Sequence, residues 1–202
     1  MVDDVSGSLR EKNRSERRDA LLDAAYALFR ERGFAATTMD DVADRAGLSR
    51  RTAFRYFASK DELIFPQRDA RLALLREQLD PRAGESGFDT VRRASMAVAR
   101  DYAADRDRML AQWRIVQAEP ALIGRELQLD RAFEDAIEAA FVSAQGDSPR
   151  LRRRARVRAA AIVGAIRATL REWLEGGATA DLVRLGRETF AELEGGLGAK
   201  GD

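Results

Sequence analysis

Arg50, Arg51, Phe54 and Arg55 place three guanidinium groups and one aromatic ring within less than two helical turns, directly after Gly47-Leu48-Ser49. Guanidinium groups near a helix start can donate paired hydrogen bonds to guanine O6 and N7, and a phenyl ring can touch a thymine methyl. Basic side chains also attract phosphates whatever the base sequence. From Arg45 through Lys60 there are five basic residues and no acidic one, although the whole chain carries a net charge of only +1. The positive charge is local, and the chemistry it suits is contact with a DNA duplex. Three arginines alone would more often be a solvated helix face; the capped, glycine-turned spacing around them is what points to base reading.

Other chemistries lose their reagents. Histidine and cysteine are both absent, which removes disulfides, thiolates and the commonest metal ligand and general base. A hydrolytic triad is excluded, and neither a metal nor a cofactor is expected. A helical enzyme using carboxylates such as Glu119 or Glu138 has no paired-acid spacing to support it. The rival from another class is a helical protein-interaction adaptor with a repurposed turn motif.

The elements that must position the reading residues are legible around them. Thr38 precedes an apolar-periodic run and Asp41 follows three residues later, the pattern of a capping box with an acid at the positive helix end. Val42, Ala43 and Ala46 form a short apolar face, Gly47 can supply the left-handed turn, and Leu48 packs under the corner. Ser49 caps a second helix over residues 50–57, in which Ala53 and Phe57 face inward. The outward set is then Arg50, Arg51, Phe54 and Arg55. Ser59 to Glu62 repeats the capping pattern and holds Lys60 near a helix N-terminus, an end that favours a phosphate.

Residues 37–63, TTMDDVADRAGLSRRTAFRYFASKDEL, resemble the signature of the TetR (tetracycline repressor) family nearly position by position. That family's first helix looks like Ser15 to Gly33 here. The resemblance implies that Arg50, Arg51, Phe54 and Arg55 face base edges and that Thr38, Thr52, Tyr56 and Lys60 touch backbone phosphates. Ala53 departs from the pattern, since many members carry a larger aliphatic residue there. The specific likeness covers about the first third of the chain, as expected where a motif is confined to one domain. The remainder resembles the family in helical layout.

The rest of the chain reads as helices. Lys60 to about Asp80 is predicted as one helix, with Pro66 near its first turn or as a kink. Further helices are predicted over Phe88 to Ala104, Arg106 to Glu119, Ala121 to Gln145, Val157 to Leu174, and through Leu182 to Leu193. No strand pattern is found. The expected fold is all-α with about nine helices: a loose arm over 1–14, a helix-turn-helix domain over 15–62, a ligand-binding and dimerisation domain over 63–196, and a tail over 197–202. With 45% hydrophobic and 34% charged residues, the composition is that of a helical globular chain. No apolar run approaches about 20 residues and the start lacks a signal-peptide core, so a cytoplasmic protein without membrane association is expected.

Two further surfaces are predicted. Ala161, Gly164, Ala165 and Ala168 leave little bulk at helical spacing, and Leu182, Leu185, Gly186 and Phe190 stripe the last helix, a set suited either to a four-helix dimer interface or to one monomeric core. The family resemblance favours the homodimer, whose paired heads would read a palindromic operator. Met96, Met109, Leu110, Trp113, Val116, Gln117, Leu127, Phe133, Ile137, Phe141 and Trp173 could line an effector cavity, and periodicity does not separate that from ordinary core. The segment at Trp113 and Trp173-Leu174-Glu175-Gly176-Gly177 are similar to members with acyl-CoA-like ligands. Arg150, Arg152, Arg153, Arg154, Arg156 and Arg158 crowd a helix start, inviting an anionic partner, carboxylates such as Glu134, Asp135 and Glu138, or simply solvent. The combined expectation is a ligand-responsive transcriptional regulator, a repressor released from double-stranded DNA by a small amphiphilic effector.

Overall fold

The computed structural model describes residues 3–145 and 147–196, with side chains from residue 12 onward; the tail expected over 197–202 lies outside them. Among the described residues there are ten α-helices and no strand. They divide into two compact units, one of residues up to Pro66 together with Arg114–Glu119, the other of Gln67–Trp113 with the residues from Pro120 on.

The first unit holds α1 (Asp3–Arg32), α2 (Met39–Arg45), α3 (Arg50–Tyr56) and α4 (Lys60–Ile64). Helix α1 begins at Asp3 and so includes most of the stretch expected as a loose arm over 1–14. Its side chains from Lys12 to Arg17 are exposed, so intrinsic propensity, not burial, carries the helix outward: Arg, Lys and Glu are good helix formers and no proline interrupts them. Burial starts at Leu21, and Leu22, Ala25, Tyr26, Leu28 and Phe29 join Met39, Val42, Ala43, Ala53, Phe57, Leu63 and Ile64 in the core of this unit.

The expected single helix from Lys60 to Asp80 is two helices, α4 and α5 (Arg68–Gln78), broken at Phe65-Pro66-Gln67. A proline disfavours helical geometry at the residue before it, and Phe65 sits at φ −118°, ψ 54°, outside the helical region.

The second unit holds α5, α6 (Gly87–Ala104), α8 (Pro120–Gln145), α9 (Pro149–Glu175) and α10 (Leu182–Gly195), while α7 (Arg106–Ala118) belongs to it as far as Trp113. Here α8 packs on α9, α5 and α6 on each other and on α8, and α10 on α6 and α9. One apolar cluster gathers Leu75, Val91, Met96, Ile137, Phe141, Ile162 and Phe190; the other gathers Met109, Trp173, Leu174, Ala178 and Leu182. Gly186 leaves room for the end of the Met96 side chain between α10 and α6, since a Cβ there would fall 2.7 Å from Met96 Cε.

Candidate nucleic-acid interface

Local chemistry builds the head. Thr38 Oγ1 accepts from the Asp41 amide at 3.2 Å, and Asp41 Oδ2 accepts from the Thr38 amide at 2.8 Å, closing the capping box that starts α2. The Thr38 hydroxyl, the Arg32 guanidinium and the Thr38 amide together hold the Asp41 carboxyl down to about 2. Helix α2 ends in a Schellman motif: the Leu48 amide donates to Ala43 O at 2.9 Å and the Gly47 amide to Asp44 O at 3.1 Å. Gly47 takes φ +66° there, the left-handed region that favours glycine. Ser49 Oγ then accepts from the Thr52 amide at 3.2 Å and starts α3. Arg45 grips Glu31 through two hydrogen bonds, 2.7 and 2.9 Å long, tying α2 back to α1.

Helix α3 turns Ala53 and Phe57 inward, at 0% and 3% exposure, and leaves Arg50, Arg51, Phe54 and Arg55 outside. Phe54 is 40% exposed, with the Arg50 guanidinium carbon 5.4 Å from its ring centroid. Arg50 also meets Asp40 at 3.2 Å, whereas Arg51 has no hydrogen-bonding or ionic partner among the described residues. An exposed aromatic ring amid three guanidinium groups is apolar and cationic surface presented together, a combination matched to base edges and phosphates.

The residues expected at phosphates divide. Thr38 is exposed, Thr52 and Tyr56 are half-buried, and the Thr52 hydroxyl shares a 2.9 Å hydrogen bond with Ser49 Oγ. Lys60 is engaged within the head. Its ammonium donates to the carbonyl oxygens of Phe34, Ala35 and Thr37 at 2.7, 3.2 and 3.1 Å and lies 4.4 Å from the Phe34 ring centroid. All three donors are used on the turn after α1, so here Lys60 clasps the head together.

In the second unit the expected effector residues do not form one group. Met96, Phe133, Ile137 and Phe141 belong to the larger apolar cluster, and Met109, Leu110, Trp113 and Trp173 to the smaller. Val116 and Gln117 fall in the first unit, and Leu127 is 44% exposed. On α10, Leu182 and Phe190 are buried in the two clusters, Leu185 packs against the smaller one, and Gly186 faces Met96. On α9 the small residues remain open. Ala161 and Ala168 are exposed, Gly164 and Ala165 half-buried, and a Cβ on Gly164 would meet nothing within 4 Å. Val157, 62% exposed, extends the same helical stripe.

Half of the arginine cluster at the start of α9 is answered nearby. Arg152 meets Asp147 at 2.6 Å, Arg156 meets Glu138 at 3.3 Å, and Arg158 lies over the Phe141 ring. Sequence reasoning missed a different charged group, Arg68, Asp130 and Arg167, drawn from α5, α8 and α9. The signal was available: Asp130 falls at helical spacing with Leu122, Phe133 and Ile137, and Arg167 with Val163, Leu170 and Leu174, so both interrupt inward stripes.

An all-α chain whose capped, glycine-turned helix pair presents α3 to the outside is a helix-turn-helix protein. Residues 21–65 match the family described as bacterial regulatory proteins, tetR family, and residues 85–198 match the MftR C-terminal domain. The chain belongs to the TetR family, whose members are transcriptional regulators and not enzymes. It is 43% identical over 67 residues to the HTH-type transcriptional activator FasR of Mycolicibacterium smegmatis, covering 33% of this chain and 27% of that one. It is 41% identical over 63 residues to the HTH-type transcriptional repressor KstR2 of Mycobacterium tuberculosis, covering 31% and 29%. The chain thus spans under a third of the length of either relative. In fold it is similar to the TetR-family repressor FadR of Thermus thermophilus in complex with lauroyl-CoA, with a TM-score of 0.55, 22% identity, and 92% and 97% of the two chains covered. No helix among the described residues is long and apolar enough to cross a membrane.

Proposed function

We propose that this regulator binds a palindromic operator as a homodimer, represses transcription, and is released by a small amphiphilic effector of the acyl-CoA kind. The observation that carries the DNA reading is the outward face of α3, where Arg51 is free, Phe54 is 40% exposed, and the helix is fixed from beneath by the buried Ala53 and Phe57. One short helix specifies few base pairs, so two heads on one two-fold axis are needed to read a longer site. The dimer face is assigned to the open stripe of α9, Val157, Ala161, Gly164 and Ala168, whose small side chains admit a second helix closely. Base contacts are assigned to Arg50, Arg51, Phe54 and Arg55, and phosphate contacts to Thr38, Thr52 and Tyr56.

Effector binding in the second unit would favour a conformation whose heads no longer fit both half-sites, through a difference in affinity for the two states. The fold neighbour that carries lauroyl-CoA supports the acyl-CoA class. The test is electrophoretic mobility on the duplex upstream of the gene at stated salt, with and without lauroyl-CoA. A dimer-sized shift that lauroyl-CoA reverses supports the reading. A shift identical on scrambled duplex contradicts the operator, and one that lauroyl-CoA leaves in place contradicts the effector class.

A further inference from the structure

Arg68, Asp130 and Arg167 meet inside the second unit from three different helices. Asp130 stands between the two guanidinium groups, one carboxylate oxygen 3.6 Å from Arg68 Nη2 and the other 3.2 Å from Arg167 Nε. Neither approach is a hydrogen bond: both nitrogens are shut off from solvent and have no hydrogen-bond partner. Arg71, one turn along α5, shows what a satisfied arginine looks like in the same unit. It donates to Asp101 at 2.6 Å, to Asp105 at 3.3 Å and to Met109 Sδ at 3.1 Å, and its guanidinium lies 4.0 Å from the Tyr102 ring centroid. Arg68 has instead the Phe133 ring at 5.0 Å, and Phe133 packs against the apolar cluster that includes Ile137 and Phe141.

Burial is the largest influence on Arg68, whose hold on its proton it weakens, and on Asp130 and on Glu126 one turn earlier in α8, whose carboxyls it raises. Buried polar atoms without hydrogen bonds are costly, and native proteins rarely leave such donors idle. Guanidinium nitrogens held by Asp130 through ion pairs without hydrogen bonds, beside an aromatic ring, suit an oxygen-bearing ligand whose acceptors are better aligned.

We infer that Arg68 and Arg167 form the anion-recognising end of the effector site and that its ligand is an organic acid, a carboxylate on an apolar body, which displaces Asp130 from between them. The inference rests on the reading of the second unit as an effector domain and sets the free acid beside the acyl-CoA class proposed above, since an acyl-CoA thioester has no carboxylate to offer the two arginines. A carboxylate offers two acceptor oxygens and a full charge to two guanidinium groups, an arrangement that gives strong, directional hydrogen bonds. A hydroxyl lacks the charge, and an ammonium would be repelled by both arginines. Asp130 is the internal occupant: it offsets the arginines in the free protein and competes with the ligand for them.

Isothermal titration of the full chain with submicellar dodecanoate, 1-dodecanol and dodecylamine tests this without any DNA. Dodecanoate should bind at least about tenfold more tightly than the alcohol, and the amine more weakly than either. Arg68→Met should remove the preference for the acid, while Asp130→Asn should tighten dodecanoate binding severalfold. These opposite signs are not what a merely structural ion pair would give, since breaking it from either side would weaken binding alike. If Arg68→Met does not fold, the double variant Arg68→Met with Asp130→Leu removes both charges together and should bind alcohol at least as well as acid. Equal affinity for acid and alcohol in the unaltered protein, no dodecanoate binding, or the same sign for both single variants overturns the inference. Operator binding alongside any of those results leaves the regulator reading intact, and dodecanoate binding as expected without operator binding does the reverse.

Discussion

At the scale of single residues, Lys60 and Arg51 show how similar side chains take different work from their surroundings. The Lys60 ammonium spends its three donors on the carbonyls of Phe34, Ala35 and Thr37, whereas Arg51 spends none on the described residues. Lys60→Ala is therefore expected to lower the unfolding free energy by about 1.5–3 kcal/mol, the range for hydrogen bonds to charged groups. Urea denaturation checks it; an unchanged midpoint with a flattened salt dependence of DNA binding would return Lys60 to a phosphate. Arg51→Ala is expected to cost about 1–3 kcal/mol of operator affinity and to relax specificity at one base pair. An equal loss on every duplex would make Arg51 a phosphate contact instead. Asp41 titrates at about 2 in the folded head against an ordinary value of 3.8. A lowered carboxyl stabilises the fold above its unfolded value and loses that contribution as pH falls through the folded one. The stability difference between the native protein and Asp41→Asn should accordingly shrink between pH 4 and pH 2 in acid-denaturation curves; a difference constant across that window would remove Asp41 from the account.

At the scale of elements, what the sequence made legible was what is decided locally. The caps at Thr38, Ser49 and Ser59 and the turn at Gly47 depend on residues within one turn of each other, and each is formed as read. The break at Pro66 was visible as a proline, but whether it kinked or split the helix depended on packing. Periodicity identified the apolar face of α10 and could not say what covers it; within the chain, Met96 and the two clusters of its own unit pack on it. The contacts of Lys60 were illegible for the same reason, since its carbonyl partners lie more than twenty positions away. Two tests belong here. Gly47→Ala meets no atom, so its cost comes from φ alone and should be about 1–2 kcal/mol of stability, read from thermal denaturation; an unchanged melting point would mean the turn relaxes. Ala161→Glu on the open stripe of α9 should convert a dimer to a folded monomer in light scattering, and a dimer of unchanged stability would move the interface elsewhere.

At the scale of the whole molecule, the proposed response of operator binding to an effector has few covalent routes. The chain passes between its two units after Pro66, after Trp113 and after Glu119, so α7 contributes residues to both. Pro66 and the break it causes put an irregular joint, not a continuous helix, at the first of these passages. A joint of that kind permits two discrete arrangements more readily than a straight helix would. Arg68 and Arg71 lie just beyond it on α5, one unsatisfied and one fully engaged.

The central claim is that the outward face of α3 reads DNA sequence. Fluorescence anisotropy with the duplex upstream of the gene and a scrambled duplex of equal composition, each titrated across salt, tests it most directly. Both affinities should fall log-linearly with salt, and the upstream duplex should bind at least about a thousandfold more tightly, with Arg51→Ala and Phe54→Ala eroding that margin. Indistinguishable affinities for the two duplexes, or a margin that survives both substitutions, would contradict it.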